Sequence, residues 1–268
     1  WCLITSNLPS FRVLPENATF DVGGSSVFFK DDSTIPFTLG LLNSQIFFNI
    51  AKIFNPTLNF QVKDIRSTPV IFPSDNSQLA AVNSLVEQNI SLSKSDWDAF
   101  ETSWDFKKHP LLPVNIDYKE AADNSIRISD MFSKWEKECS NRFAKLKSNE
   151  EELNRIFIEI YGLQDELTPE VLEKDVTVRL ADRTRDIKSF ISYAVGCMLG
   201  RYSLSKEGLA YAGGNMDMNN YKYFIPDADN VIPVTDEEYF NDDIVTRFVE
   251  FVRQVYGEST LEENLRFI

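Results

Sequence analysis

The chain has 268 residues, 43% of them hydrophobic and 13% aromatic, and a formal net charge of −14. This is enough apolar material for one large or two ordinary domains, and the acidity excludes a protein that coats nucleic acid over its whole surface. Cys2, Cys139 and Cys197 are too widely spaced for a zinc site, no apolar run approaches the ~20 residues that span a bilayer, and no signal peptide is evident, so a reduced, cytoplasmic protein without membrane contact is expected.

The charge is uneven. Up to Val70, Arg12, Lys30, Lys52, Lys63 and Arg66 balance Glu16, Asp21, Asp31, Asp32 and Asp64, so the whole acidic excess lies after that point. A surface near the N-terminus could therefore face DNA, the alternative being acidity that serves solubility only. The chain opens on Trp1 and stops at Ile268 inside a helical pattern that Ser259 and Glu262 would cap, so a piece of a longer protein is expected.

Trp1 to Phe37 is β-like. Phe11–Leu14 and Ser25–Phe29 are predicted strands, with turns at Pro9, Pro15–Asn17, Gly23–Gly24 and Asp31–Asp32. Leu41, Leu42, Ile46, Phe47, Ile50, Ile53 and Phe54 then predict one helix, ended by Asn55-Pro56. Leu58, Phe60, Val62 and Ile65 predict a short strand closed by Pro69. The polar loop residues Ser6, Asn7, Ser10, Arg12, Ser25, Ser26 and Lys30, with Lys63 and Arg66 further on, are the candidates for DNA contact. Arginine and asparagine can read base edges, whereas lysine and serine mostly hold phosphates. An ordinary solvated loop is the competing reading.

Leu79, Val82, Leu85, Val86 and Ile90 predict a helix capped by Ser74 or Asp75. Trp97, Phe100, Trp104 and Phe106 follow among acidic neighbours, which repel phosphate, so packing against the N-terminal region is expected rather than base stacking. Two helices come next, one with its stripe from Ile128 to Leu146 and one from a Ser148/Glu151 capping box to Gly162, predicting an antiparallel hairpin. Val176–Val178 is a possible strand. A very apolar helix starts at Asp186, with Gly196 and Gly200 set for close packing. A last helix runs from a Thr235/Glu238 capping box to Gly257. The acids from Asp236 to Asp243 suit its first turns better than a metal site.

The helix, Asn-Pro-Thr, Asn59-Phe-Gln-Val-Lys-Asp-Ile65 and trailing proline resemble the closing segment of the target-recognition domains of bacterial DNA adenine methyltransferases and type I specificity subunits. Ser95–Leu112, Glu152–Val171, Ser189–Leu204, Gly208–Gly214 and Thr235–Ile268, in that order, resemble the C-terminal part of the PglX-type adenine-specific DNA methyltransferases of type 1 BREX phage-defence systems. The resemblance covers nearly the whole chain. It implies an α+β, predominantly α fold, with a small β-containing partial target-recognition domain (1–72), a connector (73–117), a helical hairpin or spacer (118–182) and a C-terminal helical domain (183–268). It implies double-stranded DNA, an upstream methyltransferase domain of the same chain and other BREX proteins as partners.

Adenine methyltransferases need a glycine-rich loop for S-adenosylmethionine and an Asn-Pro-Pro-aromatic motif for the flipped base. Asn55-Pro56-Thr57-Leu58 departs from that motif at its third and fourth residues and follows a helix rather than a strand. No catalytic residue, metal site or cofactor site is therefore expected in this piece, and S-adenosylmethionine belongs to the full-length parent. The functional expectation is a non-catalytic segment that contributes DNA target recognition and structural bracing. The alternative is a protein–protein assembly module with little DNA affinity, and a weaker third is an independent metal-using enzyme.

Overall fold

The computed structural model describes residues 1, 2, 4, 9–16, 18–55, 57, 59–113 and 126–268. Among them are eight α-helices: α1 (Ile35–Leu42), α2 (Gln45–Phe54), α3 (Val62–Arg66), α4 (Asn76–Trp97), α5 (Ile128–Tyr161), α6 (Arg183–Met198), α7 (Ile244–Tyr256) and α8 (Leu261–Phe267). The chain divides into two compact units. Unit 1 comprises Trp1–Lys94 and Arg142–Val178, and unit 2 comprises Ser95–Asn141 and Arg179–Ile268. The division falls inside α5 and near the end of α4.

The β-containing domain expected from the sequence is not formed among the described residues. Isolated antiparallel bridges take its place, Cys2 with Gly24 and Ile4 with Asn59. A strand is stable only when a neighbour satisfies its backbone groups along a ladder, and Phe11–Leu14 and Ser25–Phe29 have none. Phe11 is buried, while Val13, Leu14, Val27 and Phe28 stay exposed. The expected strand at Leu58–Ile65 is also replaced, in part by α3. Val62 and Ile65 are three apart, a helical spacing, and the Asp64 carboxylate accepts from the Gln61 backbone N–H at 2.9 Å in a capping box.

The single helix predicted through Leu41–Phe54 is two helices bent by 74°. Asn43 and Ser44 cause the break, because short polar side chains compete for backbone groups. The Asn43 amide donates to the carbonyls of Leu39 (3.0 Å) and Phe11 (3.2 Å) and accepts from the Phe11 N–H at 3.0 Å. Ser44 is extended and caps α2. α1 and α2 pack with α4 and the second part of α5 around Phe37, Leu41, Ile46, Val82, Val86 and Phe157.

The predicted hairpin is a correction of the same kind in the opposite direction. α5 is one continuous helix of 34 residues that passes through Ser148 without a break. Asn149 is buried one position later, donating to the Asn89 side chain of α4 at 2.9 Å, so the turn around Ser148 is packed rather than free to reverse. Gly162 ends α5 as expected, with φ of 66° and the Leu163 N–H returning to the Ile158 carbonyl at 3.0 Å. Val176 and Val178 form no strand and pack with Leu146 instead.

Unit 2 is built on α6, α7, α8 and the first part of α5. Phe190, Tyr193, Phe251 and Tyr256 are fully buried at its centre. Phe100 and Phe106 join this core, whereas Trp97 and Trp104 are exposed, Trp104 at 96%. The expected packing of these four aromatics against the N-terminal region is therefore corrected for Phe100 and Phe106. α6 starts at Arg183 with Asp182 as its cap. Asp186, expected as its first residue, is buried and accepts from the Trp135 indole at 2.9 Å. α7 starts at Ile244 rather than Thr235, because the Asp243 carboxylate takes the backbone N–H groups of Tyr239 (2.6 Å), Phe240 (2.8 Å) and Thr246 (2.7 Å). α8 starts after Thr260 rather than Ser259.

Candidate nucleic-acid interface

The N-terminal segment is held by a small aromatic cluster in unit 1. Phe11, Leu42, Phe47, Ala51 and Phe60 are buried, and the Trp1 ring packs against them. Trp1 donates its indole N–H to the Phe60 carbonyl at 2.9 Å and its terminal amine to the Ser25 carbonyl at 3.0 Å. With the bridges Cys2–Gly24 and Ile4–Asn59, this places the loop at Ser25 and the approach to α3 on either side of the first residues. Phe11 contacts Trp1 and Phe47 through their rings, at 5.9 and 5.3 Å between centroids. Four of the sequence-predicted residues, Ser10, Arg12, Ser25 and Ser26, thus flank one aromatic anchor, and Lys63 and Arg66 follow on α3.

Their individual settings differ. Ser10 is exposed; Ser25 and Ser26 are half-buried. The Ser25 hydroxyl donates weakly to the Val22 carbonyl at 3.4 Å. Lys30 is exposed ahead of the Asp31 cap, and no hydrogen bond among the described residues ties it to the others. Asn7 and Ser6 lie outside the described residues.

Arg12 is exposed at the surface, and its guanidinium is partly engaged within its own unit. Its guanidinium donates to the Phe11 carbonyl at 2.8 Å, and burial lowers its pKa while Glu150 of α5 raises it. Glu150 in turn is pushed up to about 7, first by burial, with Asp175 and Glu151 adding to the rise and Arg12 opposing it. Arg12 thus serves a carboxylate of its own unit as well as the surface.

α3 offers the clearest basic face. Lys63 and Arg66 are exposed and three residues apart, so they stand side by side. The acid between them, Asp64, is buried and accepts from the Asn55 amide at 2.6 Å as well as from Gln61. Its charge is turned inward and saturated, which leaves the outer face cationic. Asn55 itself is fully engaged. Its oxygen accepts from the Thr57 N–H (3.0 Å) and hydroxyl (2.5 Å), and its nitrogen donates to Asp64. Asn55 thus ties the end of α2 to the start of α3 through Asp64.

Sequence reasoning did not place Lys52 among the DNA-contact candidates, and the structure shows it on α2, exposed beside Ile53 and Phe54. The charge count registered Lys52, but its exposure is decided by which face of α2 the core takes. Among the described residues no group of three or more His, Cys, Asp or Glu side chains is arranged to hold a metal ion. No single helix among them is long and apolar enough to cross a membrane.

No protein-family model matches the chain. Over its whole length it is 43% identical to an adenine-specific methyltransferase PglX from Lacticaseibacillus casei strain Zhang, and 35% identical to an adenine-specific methyltransferase BrxX from Escherichia coli O9:H4 strain HS. The chain spans 22% and 23% of the lengths of these relatives. It is therefore similar from end to end to a segment of PglX- and BrxX-type adenine-specific methyltransferases.

Proposed function

We propose that this chain is a non-catalytic segment of a site-specific DNA N6-adenine methyltransferase of phage defence, in which unit 1 contributes to DNA target recognition and the helical remainder braces it. The observation that carries this reading is the likeness of every part of the chain to a segment of two adenine-specific methyltransferases. The outward cationic face of α3, beside polar loops gathered around Trp1, supports the placement of the contact in unit 1. Neither the glycine-rich loop nor the Asn-Pro-Pro-aromatic motif occurs here, so S-adenosylmethionine and the methyl transfer are assigned to the remainder of the longer protein.

The test is fluorescence anisotropy of the chain with random duplex DNA across a salt series. Binding should weaken steeply with salt, and each phosphate contact should add about 0.9 to the slope of log K against log salt. Replacing Lys63 and Arg66 together by alanine should lower that slope by about 2. No binding at low salt, or binding unchanged by this pair, overturns the assignment.

One observation favours a second reading, an assembly module docking other proteins of the defence system. Unit 1 leaves Phe20, Val22, Phe28, Ile53 and Phe54 exposed, with the Phe20 and Phe28 rings 5.4 Å apart. Exposed apolar surface of this kind marks protein contact more readily than nucleic-acid contact. Absence of DNA binding, with stoichiometric binding to a purified protein of the same defence system, is the result that this reading expects.

A further inference from the structure

Unit 2 carries a surface loop, residues 234–243, that neither reading above uses. It is closed at its base, where the Ile244 N–H donates to the Pro233 carbonyl at 2.9 Å, and Ile232 just before it packs on the core. The Asp243 carboxylate folds its second half into a tight turn by accepting from the Tyr239 and Phe240 N–H groups. A loop whose ends meet in this way is fixed by its backbone. Its large side chains are left outside: Val234 is 84% exposed, Tyr239 63% and Phe240 59%.

The charged residues of the loop are all acidic. Asp236, Glu237, Glu238 and Asp242 are exposed, and among the described residues no ion pair or hydrogen bond engages their side chains. No lysine or arginine occurs between Lys222 and Arg247, and Arg247 is taken by Glu250 and the Ile225 carbonyl. Capping of α7 accounts for Asp243 alone, because that helix starts at Ile244. Exposed rings favour a partner that takes them out of water, and the carboxylates beside them select which partner can do so. Surfaces that carry phosphate, duplex DNA and anionic bilayers alike, are repelled. A protein segment with lysine or arginine set among apolar side chains is matched. Its cations can lie on the carboxylates and the ring faces while its apolar side chains cover Val234, Tyr239 and Phe240.

We propose that the loop 234–243 is a docking surface for a cationic amphipathic segment of a partner protein, with Tyr239 and Phe240 as its apolar anchors. This deepens the assembly reading and rests on it for the presence of a partner protein, but it uses a different surface. The exposed ring pair of that reading lies in unit 1, where Phe20→Ser/Phe28→Ser tests it without touching this loop. Either surface can therefore fail without the other.

The test titrates the whole chain into a fluorescently labelled amphipathic helix of leucine and lysine, and into its counterpart with glutamate for lysine, followed by anisotropy. The leucine–lysine helix should bind and the glutamate one should not. Two variants, Tyr239→Ser/Phe240→Ser and Asp236→Asn/Glu237→Gln/Glu238→Gln, should each weaken binding about tenfold or more. Every replaced side chain is exposed, so both should keep the circular dichroism of the unaltered chain, and each decides the matter if the other fails to fold. Glu16→Gln/Asp165→Asn/Glu166→Gln removes the same charge from exposed positions of unit 1 and should leave binding within about twofold. No binding, equal binding of the glutamate helix, equal weakening by the unit 1 variant, or indifference to the loss of the two rings overturns the proposal. Self-association of the chain that the loop variants abolish, seen by sedimentation, assigns the loop to a second copy and overturns it too.

Discussion

Two titratable side chains show how burial, rather than residue type, sets charge. His109 is fully buried against the Phe190 and Tyr193 rings, and its Nδ1 accepts from the Leu111 N–H at 3.2 Å. Burial lowers its pKa to about 3. The unfolded chain takes up this proton first as pH falls below the ordinary value of 6.5. Stability is therefore lost between about 6.5 and about 3, at up to about 1.4 kcal/mol per pH unit. His109→Gln keeps an acceptor without the titration. It should flatten the fall in urea midpoint between pH 7 and pH 5. Glu150 has the opposite sign. Its pKa of about 7 means the folded state binds the proton first, so unit 1 gains stability as pH falls from about 7 towards 4.5, and Glu150→Gln should abolish that gain.

At the scale of elements, α5 carries the sharpest test. A serine that caps a helix costs about 1 kcal/mol when replaced by alanine. Inside a continuous helix the same change is neutral or favourable by up to about 0.5 kcal/mol, since alanine is the better helix former. Ser148→Ala should therefore leave the thermal midpoint unchanged or raise it slightly, whereas Ser148→Pro should cost about 3 kcal/mol or more. Differential scanning fluorimetry of both variants separates one helix from two. α6 offers a second test. A Cβ at Gly196 would sit 2.6 Å from the Tyr202 ring, which stacks on Tyr193 at 5.1 Å between centroids. Gly196→Ala should push Tyr202 off Tyr193 and cost about 1–3 kcal/mol, the usual penalty of overpacking, read as a lower urea midpoint and altered near-ultraviolet circular dichroism. Gly200 combines contact with Met216 with φ of 76°, so alanine there meets both a clash and backbone strain.

For the molecule as a whole, the two units carry opposite proton linkages, His109 in unit 2 and Glu150 in unit 1. Acidification from pH 7 to pH 5.5 should slow hydrogen exchange, corrected for its intrinsic rate, at amides of α1 and α4 and speed it at α6 and α7. The double variant His109→Gln/Glu150→Gln should remove this divergence. Movement of both units in one direction in the unaltered chain would show that other groups dominate.

Much of the helical part was legible in the sequence because a helix closes its hydrogen bonds within itself. Apolar spacing marked α4, α6 and α7, and Gly162 and Gly257 marked two of the ends, since a left-handed residue stops a helix wherever it falls. The order of motifs also carried the likeness to adenine-specific methyltransferases that the comparisons show. What tertiary structure decided were the elements whose partners lie far along the chain. Phe11–Leu14 and Ser25–Phe29 have strand-like composition but no ladder partner, so they remain irregular. Ser148 could cap a helix, but packing of Asn149 against α4 carries α5 straight through it. The candidate surfaces follow the same rule. Lys63 and Arg66 were visible as neighbours in sequence, whereas the inward turn of Asp64 between them depends on the Asn55 amide at the end of α2. Local sequence determines what a backbone can do with its own next few residues, and long-range packing decides which of those options is kept.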